Sequence, residues 1–114
     1  MTVSRQDIVA ALATVEGVEA SDVTPDNIVA GAAWPVWSSS TWVTSCYWRT
    51  QWYVFVALTN GQGDATSAEG DPLVDAVGDV LAGIGLGGLI CEPWVWPVEV
   101  GGQTVPVLRF TAVD

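Results

Sequence analysis

The sequence predicts an α+β domain: a single, mainly antiparallel β-sheet flanked by two amphipathic helices, in the order α-β-(β)-β-α-β-β. Three observations carry that expectation. Residues 41–59 (TWVTSCYWRTQWYVFVALT) form a dense run of β-branched and aromatic residues. Two other segments place apolar residues at helical spacing. The last part of the chain holds two strand-like runs around Gly101-Gly102. At 114 residues the chain suits one domain, 1–114. Half of its residues are hydrophobic, which excludes global disorder.

The first helix is expected from Arg5 to Glu16. Ser4 fits an N-cap with Asp7 three residues on, Ile8, Leu12 and Val15 share one face, and Gly17 is a stop. Thr24-Pro25-Asp26-Asn27 reads as a turn. Ile28–Trp37 reads as a short strand that Pro35 confines to an edge or bends, and Ser38–Ser40 as a loop. From Trp52 to Leu58 both faces are apolar, as in a central strand covered on both sides. Thr41–Arg49 fits either a separate strand or an extension of that one.

Asn60–Gly70 is a polar, Gly-rich loop. Asp71 and Pro72 fit the N-cap and first position of a second helix. Leu73, Val74, Val77, Val80, Leu81 and Ile84 share its apolar face, with Asp71, Asp75 and Asp79 on the other. Glycines 85, 87 and 88 end it. Strands Ile90–Val100 and Gln103–Val113 then form a hairpin on the Gly101-Gly102 turn. That turn sets Pro97 opposite Pro106 and Trp94 opposite Arg109, a cation–π pairing.

Charge narrows the function classes. Thirteen Asp and Glu face three Arg, with no Lys and no His, for a net charge of −10. A surface that grips nucleic acid or an anionic membrane needs clustered cations. The commonest general bases and amine nucleophiles are absent, so no enzyme, catalytic residue or cofactor is expected. No apolar run reaches the roughly 18 residues of a membrane helix. The amino-terminal stretch lacks the apolar segment of an export signal, so Cys46 and Cys91 are expected as reduced, buried thiols.

Other motifs lack the required spacing. Two Cys without His cannot make a usual zinc set, and Asp64, Glu69 and Asp71 lack the spacing of a calcium loop. Gly85, Gly87 and Gly88 follow a helix and have no Lys, unlike a phosphate loop. Glu92 and Glu99 fall on opposite faces of the hairpin, a poor catalytic pair.

Two features stand out from this background. Seven tryptophans are many for so small a core. Of these, Trp34, Trp37, Trp42 and Trp48 cluster around Pro35 and the serines, and are candidate anchors at a subunit or partner interface. The Asp71/Asp75/Asp79 ridge is either a solvated helix face or a deliberately negative surface. Gly78 and Ala82 beside it leave room for close approach.

The order of motifs resembles the tail terminator proteins of long-tailed bacteriophages, especially those of actinobacterial hosts. The resemblance rests on an amino-terminal helix, AWPVW (33–37), TQWYVFVAL (50–58), the helix DPLVDAVGDVL (71–81), ICEP (90–93) and a final Gly-turn hairpin. It covers most of the chain as a pattern of elements. It implies a virion protein, assembled in the host cytoplasm as a ring, usually a hexamer, at the head-proximal end of the tail tube. The ring would stop tube growth and join the tail to the neck. Its partners would be other copies of itself, the tail tube protein and a neck or head-completion protein. DNA would pass through the lumen without specific binding, with Asp71, Asp75 and Asp79 as candidate lumen residues. Two alternatives accompany it: another head–tail connector or stopper, and a Trp-based glycan-binding module.

Overall fold

The computed structural model describes residues 3–25, 28–44, 47–58, 64–97 and 104–114, with the backbone alone for 43, 44, 47, 48, 64–70, 97 and 104. Two helices, α1 (Arg5–Leu12) and α2 (Asp64–Gly83), pack on a sheet of β1 (Glu19–Ala20), β2 (Ala32–Thr44), β3 (Tyr47–Ala57), β4 (Gly87–Pro97) and β5 (Thr104–Val113). The strand order is β1-β2-β3-β5-β4. Among the described residues only β1 against β2 is parallel. The fold is therefore α+β with one mixed sheet.

The capping box opens α1. The Ser4 hydroxyl accepts from the Asp7 amide at 3.1 Å, and the Asp7 carboxylate accepts from the Ser4 amide at 3.0 Å. The helix stops at Leu12, four residues before the expected end. Beyond it the Thr14 and Val15 amides donate three residues back, to Ala11 and Leu12, so the chain tightens into turns. Val15 still reaches the core.

Strand β1, not expected from the sequence, is short because Pro35 cuts its ladder off. The Ser21 amide donates to the Ala33 carbonyl at 2.8 Å. The next parallel step needs a donor at position 35, where proline has none. Arg5 takes over there, its Nη1 donating to the carbonyls of Pro35 (3.0 Å) and Asp22 (2.8 Å).

Ser38–Ser40 is strand, not loop. The hairpin of β2 and β3 runs from Ala33↔Val56 to Thr44↔Tyr47, with register shifts between Trp37 and Ser39 and between Trp42 and Thr44. Residues 41–44 thus end β2 and 47–49 begin β3, so within Thr41–Arg49 the part 47–49 extends the Trp52–Leu58 strand, the part 41–44 belongs to β2, and 45 and 46 lie outside the described residues. Side-chain bonds hold the serines in place. Ser38 accepts from Gln51 at 3.2 Å, Ser40 accepts from Trp37 Nε1 at 2.9 Å, and Ser40 pairs with Thr50 at 3.1 Å.

Helix α2 begins seven residues before its expected start, at Asp64 instead of Asp71. Asp71 is therefore no N-cap, and Pro72 stands inside the helix. In the last hairpin Trp94 pairs with Val107, Val95 with Pro106, Pro97 with Thr104 and Glu92 with Arg109. The expected Pro97–Pro106 and Trp94–Arg109 pairs are off by two residues. A two-residue slip keeps every side chain on its face, so the apolar pattern does not resist it. It also lets Glu92 meet Arg109 at 2.6 Å. The Asp26-Asn27 step, the loop residues 60–63, Glu99 and the Gly101-Gly102 turn lie outside the described residues.

The central strand is β3, flanked by β2 and β5 and apolar on both faces, as expected. One face packs Trp52, Val54 and Val56 with Phe110 under Ile8 and Leu12 of α1 and Val77 and Leu81 of α2. The buried members of the other cluster come from strands alone: Ala32, Trp34, Phe55, Ala57 and Val107.

Candidate assembly surface

The β2–β3 hairpin outruns its neighbours. Pairing of β3 with β5 ends at Gln51↔Val113. There the Asp114 amide donates to the Thr50 carbonyl at 3.1 Å, and its carboxylate accepts from the Thr50 amide at 2.8 Å and the Val3 amide at 3.2 Å. Past this clasp, Thr41–Thr44 and Tyr47–Arg49 continue as a two-stranded end about 13 Å long. The 13 residues of β2 would span roughly 43 Å, close to the molecule's longest dimension of 47 Å. A two-stranded ribbon is marginal by itself and gains from a surface to rest on.

The four candidate tryptophans separate. Trp34 is fully buried, stacked on Phe55 at 5.8 Å and edge-on to Trp96 at 5.4 Å. It is core, and leaves the set of interface candidates because no part of it reaches a partner. Trp37 is 56% exposed and Trp42 49% exposed on the same strand. Trp42 pairs with Trp48, whose side chain lies outside the described residues.

A shallow groove of about 330 Å³ adjoins Trp37, lined by Arg5, Val23, Thr24, Pro35, Val36 and Trp37. Val23 is 60% exposed. No motif in the sequence marks this groove. Its one local signal is Val23 itself, an apolar residue in an acidic, turn-rich stretch. On the far edge, β4 exposes Ile90, Trp94 and Val95.

Charge is partitioned along the chain. No Asp or Glu occurs from Asn27 to Gly63, and Arg49 is the one charged residue there. Arg49 is exposed and makes no ion pair among the described residues. Glu16, Glu19 and Asp22 are exposed before this stretch, and Asp71, Asp75 and Asp79 after it, on successive turns of α2. Those three sit in the body of the helix, away from its positive end. A side chain at Gly78 would meet nothing within 4 Å, so the ridge is open to approach.

Backbone pairing at the sheet edges is obstructed. The Leu58 amide donates to the Pro106 carbonyl at 2.9 Å, as Asp114 does to Thr50, so even-numbered β5 residues bond β3. Odd-numbered β5 residues then bond β4, which turns Cys91, Pro93, Val95 and Pro97 outward. Proline removes two of those four donors. The β2 edge is closed at Pro35 and irregular beyond Trp37.

Among the described residues there is no group of three His, Cys, Asp or Glu fit to hold a metal, and no helix long and apolar enough to cross a membrane. Cys91 is a free thiol; Cys46 lies outside the described residues. Burial, and secondarily the Glu92 carboxylate, raise the Cys91 pKa above the usual thiol value. Compared with known proteins, the chain matches no family model and no curated sequence.

Proposed function

We propose that the chain is the repeating subunit of a non-catalytic ring in a phage virion, at the head-proximal end of the tail tube. The observation that carries this reading is the β2–β3 hairpin end. It extends past the third strand, bears the half-exposed Trp42, and belongs to the acid-free stretch of a strongly acidic chain. Such an end gains stability from a partner, and aromatic anchors commonly dominate interface energetics. The element order supports the reading as well. AWPVW lies in β2, TQWYVFVAL largely in β3, DPLVDAVGDVL in α2 and ICEP in β4, in the order that the resemblance implies. The tail tube protein and a neck protein would meet the two rims of the ring.

The net charge of −10 then acquires a role. DNA carries one negative charge per roughly 1.7 Å of axis, so carboxylates around a lumen would repel it and let it slide. The Asp71/Asp75/Asp79 ridge is exposed and suited to such a lining.

Gold-labelled copies in intact virions test the location: label at the head–tail junction is expected, and label elsewhere contradicts it. Substituting Lys for all three ridge residues tests the lining. Particles should assemble yet eject DNA slowly at low salt, with the delay relieved as salt rises. Normal ejection by well-formed triple-Lys particles removes this ridge from the lumen.

A further inference from the structure

We propose that adjacent copies of this chain overlap in a lap joint, with Trp37 and Trp42 of one copy lying on Ile90 and Trp94 of the next. The inference rests on the ring reading and names the contact that would build the ring.

Register assigns the faces. Trp37 pairs with Trp52 and Trp42 with Trp48, so both indoles stand on the side of the sheet where Trp52 packs under the helices. Thr41, Arg49 and Gln51 stand on the other side. The hairpin end is therefore aromatic on one side and polar on the other, and its aromatic side is the one that gains from cover. On β4 the exposed row has the opposite parity. Trp94 pairs with Val107 and Ile90 with Thr111, on the helix-free side, while Val95 pairs with Pro106 on the helix side.

Plates that overlap in one orientation touch through the front of one margin and the back of the other. Strands β2 and β4 are those margins, since β1 shields only two residues of β2. Two strands lie between them, a separation of about 14 Å. One copy therefore cannot bring its own two rows together, and the partner is another molecule. The rows match in length. Trp37 and Trp42 face β3 residues four apart, and Ile90 and Trp94 are four apart, about 13 Å in each case.

Charge favours a second copy at this place. Copies that carry −10 repel except where carboxylates are absent or neutralised. The hairpin end belongs to the acid-free stretch, and Glu92, the acid of the β4 row, is paired with Arg109 at 2.6 Å. Prolines deny β4 continuous backbone pairing, so side chains make the contact. A front-to-back contact is heterologous and closes into a ring when the rotation allows. Every copy then turns the same side to the axis. With the helices inward, the exposed Asp71/Asp75/Asp79 ridge lines the lumen.

Sedimentation of the wild type, Trp42→Glu, Ile90→Glu and Val95→Glu tests this at low salt, with circular dichroism to verify each fold. Trp42→Glu and Ile90→Glu should each weaken self-association about tenfold or more. Val95→Glu adds the same charge on the other side of β4 and should assemble like the wild type. An equimolar mixture of Trp42→Glu and Ile90→Glu should form 1:1 dimers and nothing larger, because one keeps a working β4 row and the other a working hairpin end. Should a Glu variant lose its fold, Trp42→Ser or Ile90→Ser takes its place. A mixture that stays monomeric, or a Val95→Glu as defective as Ile90→Glu, overturns the lap joint. A wild-type ring insensitive to both Trp42→Glu and Ile90→Glu removes this inference alone. A wild type that stays monomeric removes the ring reading with it.

Discussion

Arg109 and Trp94 stack across the last hairpin, the guanidinium carbon 3.8 Å from the ring centroid, although Trp94 is paired with Val107 and Arg109 with Glu92. The contact is diagonal. Tyr53 covers the guanidinium too, at 5.0 Å, and Glu92 accepts from it at 2.6 Å. A planar cation between two rings stiffens the junction of β3, β5 and β4 on the face whose buried cluster comes from strands.

A double-mutant cycle on Arg109 and Trp94 should therefore return a coupling of about 0.5–2 kcal/mol in urea unfolding. Arg109→Lys should recover little of it, since an ammonium neither stacks nor forks. Additive single mutants would mean that the stack contributes nothing to stability.

Burial splits the tryptophans by the property each should control. Trp34→Ala should cost about 3–5 kcal/mol of stability. Trp34→Phe should cost much less, because Trp34 Nε1 is buried with no hydrogen-bond partner among the described residues and phenylalanine has no such group to desolvate. Trp37→Ala and Trp42→Ala should stay within about 1 kcal/mol in unfolding, yet weaken self-association by about 2 kcal/mol or more. Unfolding curves beside sedimentation would expose the opposite pattern.

Pro72 reports on where α2 begins. Inside a helix that starts at Asp64 it withholds one donor, and replacing it should help. Pro72→Ala is expected to stabilise by about 1–3 kcal/mol and to raise Tm by several degrees. At the first position of a helix the same change would bring no gain. A calorimetric scan showing no rise would return the start of the helix to Asp71.

The raised pKa of Cys91 has a sign. The folded chain holds a thiol proton that the unfolded chain releases more readily, through burial first and Glu92 second. Stability should be indifferent to this group below the ordinary thiol pKa and should fall as pH climbs past it. Cys91→Ser should flatten that alkaline slope. Alkylation of Cys91 in the folded chain should lag behind the same thiol in urea. Equal rates would place the sulfur in water.

Local patterning made much of the fold legible. Ser4 and Asp7 announced α1, the two apolar faces of Trp52–Leu58 announced the centre of the sheet, and Leu73–Ile84 showed the buried side of α2. What stayed hidden depends on partners distant in sequence. Strand β1 is two residues that exist because Ala32 and Ala33 lie beside them. Ser38–Ser40 read as a loop because the hydroxyls that Gln51, Trp37 and Thr50 satisfy look like loop chemistry in isolation. Asp71-Pro72 mimicked a helix start, and only the backbone of 64–70 reveals otherwise. The candidate site was half legible. Trp34 and Trp37 share a composition signal, yet three positions apart on a strand they take opposite faces. The groove gathers Arg5, Val23 and Pro35 from separate segments, and no spacing rule joins them.

Electron microscopy of the purified full chain, negatively stained at low salt, tests the central claim most directly. The account predicts closed rings of uniform copy number around an open lumen. Dispersed monomers, or open filaments with no closure, would contradict it.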